Sequence, residues 1–194
     1  MRVGLVGGTF DPPHEGHLAL ARAARAHFRL HLVLFLPAGQ PWRKTREITE
    51  AEHRLVMLRL AIEGDDTFGI CDLELRRPGP TYTADTLDAL AGERLDDVFW
   101  FIVGADALAD LPNWHDPGRI VRHAVIAAAE REGAELARAI ASVPEFRDRI
   151  ETFPMVAVNV SSTDIRSRVG LGESIGDYVP APVAAYVAEH GLYA

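Results

Sequence analysis

The 194-residue chain has one cysteine, Cys71. A single thiol cannot close an intramolecular disulfide, so the fold must stand on its core, and this usage fits a reducing compartment such as the cytoplasm. Cys71 itself reads as a small apolar residue at a strand. No apolar run approaches the roughly 20 residues needed to cross a bilayer. The N-terminus enters an apolar strand at once, with none of the pattern of a signal peptide. Positive charge is also scarce: 20 Lys and Arg stand against 28 Asp and Glu, a formal net charge of -8. A nucleic-acid binder normally shows the opposite balance. There is no internal repeat, low-complexity tract or linker, so one domain is expected. What remains is ordinary globular composition, 48% hydrophobic and 25% charged, in a chain long enough to bury a real core. An acidic chain of this kind, if it binds nucleotides, must concentrate its few cations at the site.

The most informative stretch runs Val3-Gly4-Leu5-Val6-Gly7-Gly8-Thr9-Phe10-Asp11-Pro12-Pro13-His14-Glu15-Gly16-His17. Val3–Val6 suits a short buried strand. Gly7-Gly8 permits a sharp turn and close approach of a ligand to the backbone. Pro12 and Pro13 delay the helix that starts past them. Backbone N–H groups at the turn and helix start would face a phosphate without side-chain bulk between. His14 and His17, three apart, share a face of the opening turn and can donate to anionic oxygens. A plain surface turn with two exposed histidines explains the residues singly but not their uninterrupted order.

The first helix should run from about Glu15 to His27, with Leu20, Ala24 and Phe28 inward and Arg22, Arg25 and Arg29 solvated. Leu32–Leu36 reads as the second strand, giving a right-handed βαβ unit. The loop that follows, Pro37–Arg46, is rich in Pro and cations and leaves the C-terminal end of a parallel strand, where open α/β sheets bind ligands. Thr49-Glu50-Ala51-Glu52 reads as a capping box, with Thr49 as N-cap. The helix after it has Leu55, Leu58 and Ile62 on its buried side, and its charges look structural. Phe68–Leu75 is expected as a third strand with Asp72 and Glu74 outward, and Val98–Val103, the most hydrophobic, as a central one. Ala124–Ala129 and Met155–Val158 complete the strands. Ala134–Ile150 reads as a polar helix interrupted by Pro144, without chemistry. Gly170 and Gly172 stop a later helix, and Pro182 opens a closing one with Val183 and Val187 inward. The alternation predicts an α/β class, a doubly wound parallel sheet with helices on both faces.

Gly7–His17 resembles the nucleotidylyltransferase superfamily signature GGTFDP-x-H-x-GH. The form with His14, where other branches carry threonine, is similar to the nicotinate-nucleotide adenylyltransferase family, and the similarity spans nearly the whole chain. It implies a single Rossmann-like domain over 1–194, its C-terminal helical part from about 162 packed on the rest. It also implies a phosphate-binding lysine in the second loop, matched by Lys44, although the family's PPHK reads Pro-Trp-Arg-Lys here. Pro80-Thr81-Tyr82-Thr83 resembles the family's segment bordering a nicotinate pocket, with Thr83 the position carried over and Tyr82 read as packing. Gly104 and Asp106 match a Gly-x-Asp that can hold ribose hydroxyls, Asp106 also reading as a cap of the short helix that follows. Trp114 matches a tryptophan that stacks on the pyridine ring. Arg131 stands where the family has an Arg-Pro-Gly stretch. Ser161, Ser162 and Arg166 match ISSTxIR, a second anion site.

The resemblance implies transfer of AMP from ATP to nicotinate mononucleotide, giving deamido-NAD and pyrophosphate, with Mg2+ arriving on the ATP. The expected nucleotide contacts are Gly7, Gly8, Thr9, Phe10, His14, His17, Lys44, Gly104, Asp106, Ser161, Ser162 and Arg166. His17 would meet the α-phosphate, His14 and Lys44 the outer phosphates, and Gly8, Thr83 and Trp114 the acceptor. The two anion sites would bracket a polyphosphate lying across the sheet. Asp11 reads equally as a turn-forming residue. Rival readings are the same transfer to nicotinamide mononucleotide or phosphopantetheine, or a non-catalytic nucleotide sensor. No nucleic-acid or membrane partner is expected, and a homo-oligomer is compatible with the sequence.

Overall fold

The computed structural model describes residues 1–41, 48–130 and 134–194; Arg43, Lys44 and Arg131 lie outside the described residues. The strands are β1 (Arg2–Gly8), β2 (Leu32–Pro37), β3 (Gln40–Pro41), β4 (Phe68–Ile70), β5 (Pro80–Thr81), β6 (Val98–Val103), β7 (Ala124–Glu130) and β8 (Ile150–Pro154). Six of them form one parallel sheet in the order β4-β2-β1-β6-β7-β8, and β3 pairs with β5 in a small second sheet. The chain winds outward from β1 through β2 to β4, returns to β6, and winds the other way. The topological switch point therefore falls between β1 and β6, where open α/β sheets form their ligand crevice.

The helices are α1 (Glu15–Phe28), α2 (Ala51–Ile62), α3 (Leu73–Arg76), α4 (Thr83–Glu93), α5 (Ala105–Asp110), α6 (Pro117–His123), α7 (Ala134–Ala141), α8 (Ser162–Gly170) and α9 (Ala181–Glu189). One face of the sheet packs Val3, Leu5, Phe99 and Phe101 against Leu87 of α4, Leu108 of α5 and Ile120 of α6. The other packs Val6, Phe35 and Ile102 against Leu18 and Phe28 of α1 and Leu58 of α2. Strands buried on both faces read as continuous apolar runs, and this is why β1, β2 and β6 were legible. A third cluster joins Met57 and Ala61 of α2 to Ile165 of α8 and Val183 and Val187 of α9.

Several local expectations need correction. The third strand stops at Ile70, and Leu73–Arg76 coils into α3 with Glu74 buried rather than outward. The α3 backbone crosses tightly over Gly39, where an added Cβ would collide with the Glu74 carbonyl oxygen. The last strand is Ile150–Pro154 rather than Met155–Val158. Its one neighbour, β7, ends at Glu130 opposite Pro154; Met155 makes a last N–H bond to the Glu130 carbonyl at 3.0 Å, and Val156 is exposed. An edge strand ends where its partner does. The N-cap of α2 is Glu50, without a side-chain cap bond, and the Thr49 carbonyl accepts from Arg54 Nε instead. The buried residues of α2 are Arg54, Met57, Leu58 and Ala61, so of the three expected inward residues only Leu58 is buried, while Leu55 and Ile62 are half-buried.

Candidate active site

At the end of β1, Gly7, Gly8 and Thr9 line a cavity of about 340 Å3. His14 is the N-cap of α1 in extended conformation, and His17 sits three residues on, in the first turn. Their rings stack with centroids 3.7 Å apart and planes at 24°. The His14 backbone N–H donates to His17 Nδ1 at 3.2 Å. A nitrogen that accepts cannot carry a proton, so neutral His17 holds its proton on Nε2, as a donor directed away from the helix start. Gly16 leaves the room that the His14 ring uses: a Cβ there would lie 3.0 Å from His14 Nδ1 and 3.1 Å from Val160 Cγ1, so these side chains would have to shift by a few tenths of an ångström. The Phe10 side chain is buried, with its ring edge-on to His17 at 5.0 Å and to Phe35 at 5.7 Å. Its side chain therefore backs His17 from the core and does not itself reach into the cavity.

The loop between β1 and α1 contains two peptide units, Asp11–Pro12 and Pro12–Pro13, that have a carbonyl but no N–H. Such carbonyls need donors from elsewhere. Arg166 Nη1 donates to the Asp11 carbonyl at 2.7 Å and Ser162 Oγ to the Pro12 carbonyl at 2.9 Å. Arg166 Nη2 also donates to Thr163 Oγ1 at 3.1 Å. Ser161 is the N-cap of α8: its hydroxyl accepts from the Asp164 N–H at 3.1 Å and donates to Asp164 Oδ2 at 2.6 Å. The two anion sites expected at separate strand ends are thus one place, because α8 folds back onto the β1–α1 loop. Both serine hydroxyls here donate to protein oxygens, Ser161 to Asp164 and Ser162 to Pro12. A guanidinium has five N–H groups, so Arg166 can hold the loop and also serve an anion.

The C-terminal segment grips the same loop. The Glu15 N–H donates to the Tyr178 carbonyl at 2.9 Å, and Tyr193 Oη donates to Asp11 Oδ1 at 2.8 Å. Asp11 is fully buried, and burial together with that carboxylate pushes the Tyr193 hydroxyl above its ordinary range. Tyr193→Phe removes a donor from a buried carboxylate, a loss of about 1–3 kcal/mol. The expected result is that stability in urea and kcat both fall while the KM for the acceptor holds; unchanged kcat would remove Tyr193 from the loop's support.

On the far side of the cavity stand the β5–α4 and α5–α6 connections. Thr83 begins α4, and both Thr83 and Trp114 line the cavity. Trp114 Nε1 donates to Asp110 Oδ2 at 3.2 Å, and its ring meets Phe101 edge-on at 5.8 Å. Tyr82 does more than pack: it lines the cavity and stacks on His115, centroids 4.2 Å apart. The two connections are clamped from behind, where Arg119 of α6 bonds Asp85 at 2.9 Å and also Asp88 of α4. His123 Nε2 reaches Asp88 Oδ1 at 2.7 Å. The Arg119 bond holds the Asp88 carboxyl below its usual range. Gly104 is the N-cap of α5, in place of Asp106, which is exposed in the first turn beside the end of β6. Among the described residues no group of three His, Cys, Asp or Glu side chains is placed to hold a metal ion. Sequence reasoning missed Glu74, Asp110 and the role of Arg54. Only Glu74 had a visible signal, a carboxylate between Leu73 and Leu75 shortly before Pro78-Gly79-Pro80.

The sequence profile of the family described as Cytidylyltransferase-like matches residues 5–168. A Thermomicrobium roseum protein named "Probable nicotinate-nucleotide adenylyltransferase" is 46% identical over 195 residues, covering 99% of this chain and 91% of its own length. A Bordetella petrii protein of the same name is 43% identical, covering 99% and 98%. The structure of Plasmodium falciparum nicotinic acid mononucleotide adenylyltransferase complexed with NaAD has the same fold, with a TM-score of 0.81 at 20% identity, covering 99% of this chain and 97% of that one. The chain belongs to the cytidylyltransferase-like family and, within it, to the nicotinate-nucleotide adenylyltransferases.

Proposed function

We propose that the protein transfers AMP from ATP to nicotinate mononucleotide, forming deamido-NAD and pyrophosphate in NAD biosynthesis. The observation that carries this is one continuous cavity with a phosphate end at Gly7, Gly8 and Thr9 and an aromatic end at Trp114. A phosphate oxygen of the mononucleotide attacks the α-phosphorus of ATP, the bond to the β-phosphate oxygen breaks, and pyrophosphate leaves. No protein nucleophile is needed, so the chain contributes positioning and charge neutralisation. The Nε2 proton of His17 meets the α-phosphate oxygen on which charge develops. His14, Lys44 and Arg166 take the outer phosphates. Asp106 at the end of β6 faces the ribose, and Trp114 stacks on the pyridine ring, worth about 0.5–1.5 kcal/mol beyond its buried area. Mg2+ arriving with the ATP would supply charge neutralisation on the polyphosphate; Asp11 is turned to Tyr193.

Among the described residues no helix is long and apolar enough to cross a membrane. One cysteine and an excess of acidic residues support the reading of a cytoplasmic enzyme that acts on small nucleotides without a nucleic-acid partner. The test is pyrophosphate release from ATP and Mg2+ with nicotinate or nicotinamide mononucleotide as acceptor. Turnover is expected with the acid form preferred; ATP binding without pyrophosphate release from either would sink the assignment in favour of a sensor.

A further inference from the structure

The charge of the acceptor pocket poses a problem. Among its described lining residues there is no lysine or arginine, while two carboxylates, Glu74 and Asp110, are present. An acceptor that carries a ring carboxylate would enter a pocket already lined with negative charge. Asp110 is engaged by the Trp114 indole at 3.2 Å and the Asn113 amide at 3.0 Å. Glu74 is different. It is 7% exposed, and its Oε1 accepts from Thr86 Oγ1, itself fully buried, at 3.0 Å. Arg77 Nη1 approaches the Thr86 hydroxyl at 3.5 Å instead of pairing with the carboxylate.

Resting on the acceptor assignment above, we propose that Glu74 is a specificity-determining residue whose proton decides whether the pocket takes the acid or the amide of a pyridine mononucleotide. A protonated carboxyl has an O–H to donate to the acceptor's carboxylate. An ionised one repels it and accepts from the amide NH2 instead. Burial works in the required direction: it pushes the Glu74 carboxyl above its ordinary range against the opposing pull of Thr86, Thr81 and Arg77. The other groups near Glu74 are Cys71 and Asp72 from the preceding turn, Tyr82 from the β5–α4 connection, and Asp110 and His115 across the cavity. Of these His115 stacks on Tyr82 within the same cavity, so it needs its own control.

The experiment measures kcat/KM for nicotinate and nicotinamide mononucleotide from about pH 6 to about pH 9. Both acceptors carry the same phosphate, so its ionisation cancels in the ratio. The acid-to-amide ratio should fall by about tenfold or more as pH rises. In Glu74→Gln, neutral at every pH, the ratio should stay within about twofold. In His115→Gln the fall should persist. A flat profile in the wild type overturns the proposal, as does a profile that Glu74→Gln keeps or His115→Gln abolishes. If Glu74→Gln does not fold, the wild-type and His115→Gln profiles decide by the same criteria. Should the wild type turn over neither acceptor, the adenylyl-transfer assignment fails, and the equilibrium affinities of the two mononucleotides, read over the same pH range, decide the role of Glu74 separately.

Discussion

His17→Ala should lower kcat by on the order of a hundred- to a thousandfold, the usual consequence of removing one donor aimed at developing charge. The geometry makes the source of that loss separable. His17 Nδ1 accepts the His14 N–H at 3.2 Å, and in the proposed reaction Nε2 carries the proton offered to the α-phosphate. Alanine removes both. His17→Asn places an amide oxygen near the former Nδ1, so it can still accept the His14 N–H, but nothing of it reaches where Nε2 was. The asparagine variant should therefore melt close to the wild type and still be about as slow as the alanine variant. The ATP Kd should change far less than kcat, because the lost interaction strengthens only in the transition state. Near-wild-type turnover of either variant would remove His17 from the chemistry.

The fold was legible wherever burial on two faces wrote an unbroken apolar run. Val98–Val103 and Leu32–Leu36 are such runs, and they lie at or beside the sheet centre. It was least legible at the edges, where β4 and β8 have one strand neighbour each and end by geometry, with no compositional sign in Cys71 or Met155. The two ends of the reaction cavity were legible because glycines, paired histidines, a threonine and a loop tryptophan are chemically distinctive. The convergence of Ser162 and Arg166 on Asp11 and Pro12 was not, since no local pattern says that α8 folds back on β1's loop. Nor could composition show that two consecutive prolines leave carbonyls in need of donors from a segment 150 residues away. The acidic acceptor pocket was likewise hidden: Glu74 looked like the solvated side of a strand until the chain turned into α3.

Arg54 is the clearest case, and its replacement should have the largest effect on stability. The helical period of α2 places an arginine at a core position, and it is 2% exposed. Its guanidinium spans three segments, donating to the Thr9 carbonyl at 2.8 Å, the Thr49 carbonyl at 2.9 Å and, at 3.5 Å, the Gly39 carbonyl. Thr9 belongs to the histidine loop and Gly39 to the exit of β2, so one side chain sets the spacing of the two loops that flank the phosphate end of the cavity. It also turns a peptide unit. Within a trans unit the C=O and N–H point opposite ways, so holding the Thr9 carbonyl toward Arg54 directs the Phe10 N–H to the other side. Arg54→Met keeps much of the apolar stem and removes every donor. Charge-assisted hydrogen bonds contribute about 1.5–3 kcal/mol each, so losing the two short ones should cost about 3–6 kcal/mol in chemical denaturation, with the ATP Kd raised by more than about tenfold. Arg54→Lys restores a charge but not the fork and should recover only part of either. A methionine variant within about 1 kcal/mol of the wild type would mean that the loops hold their spacing without it.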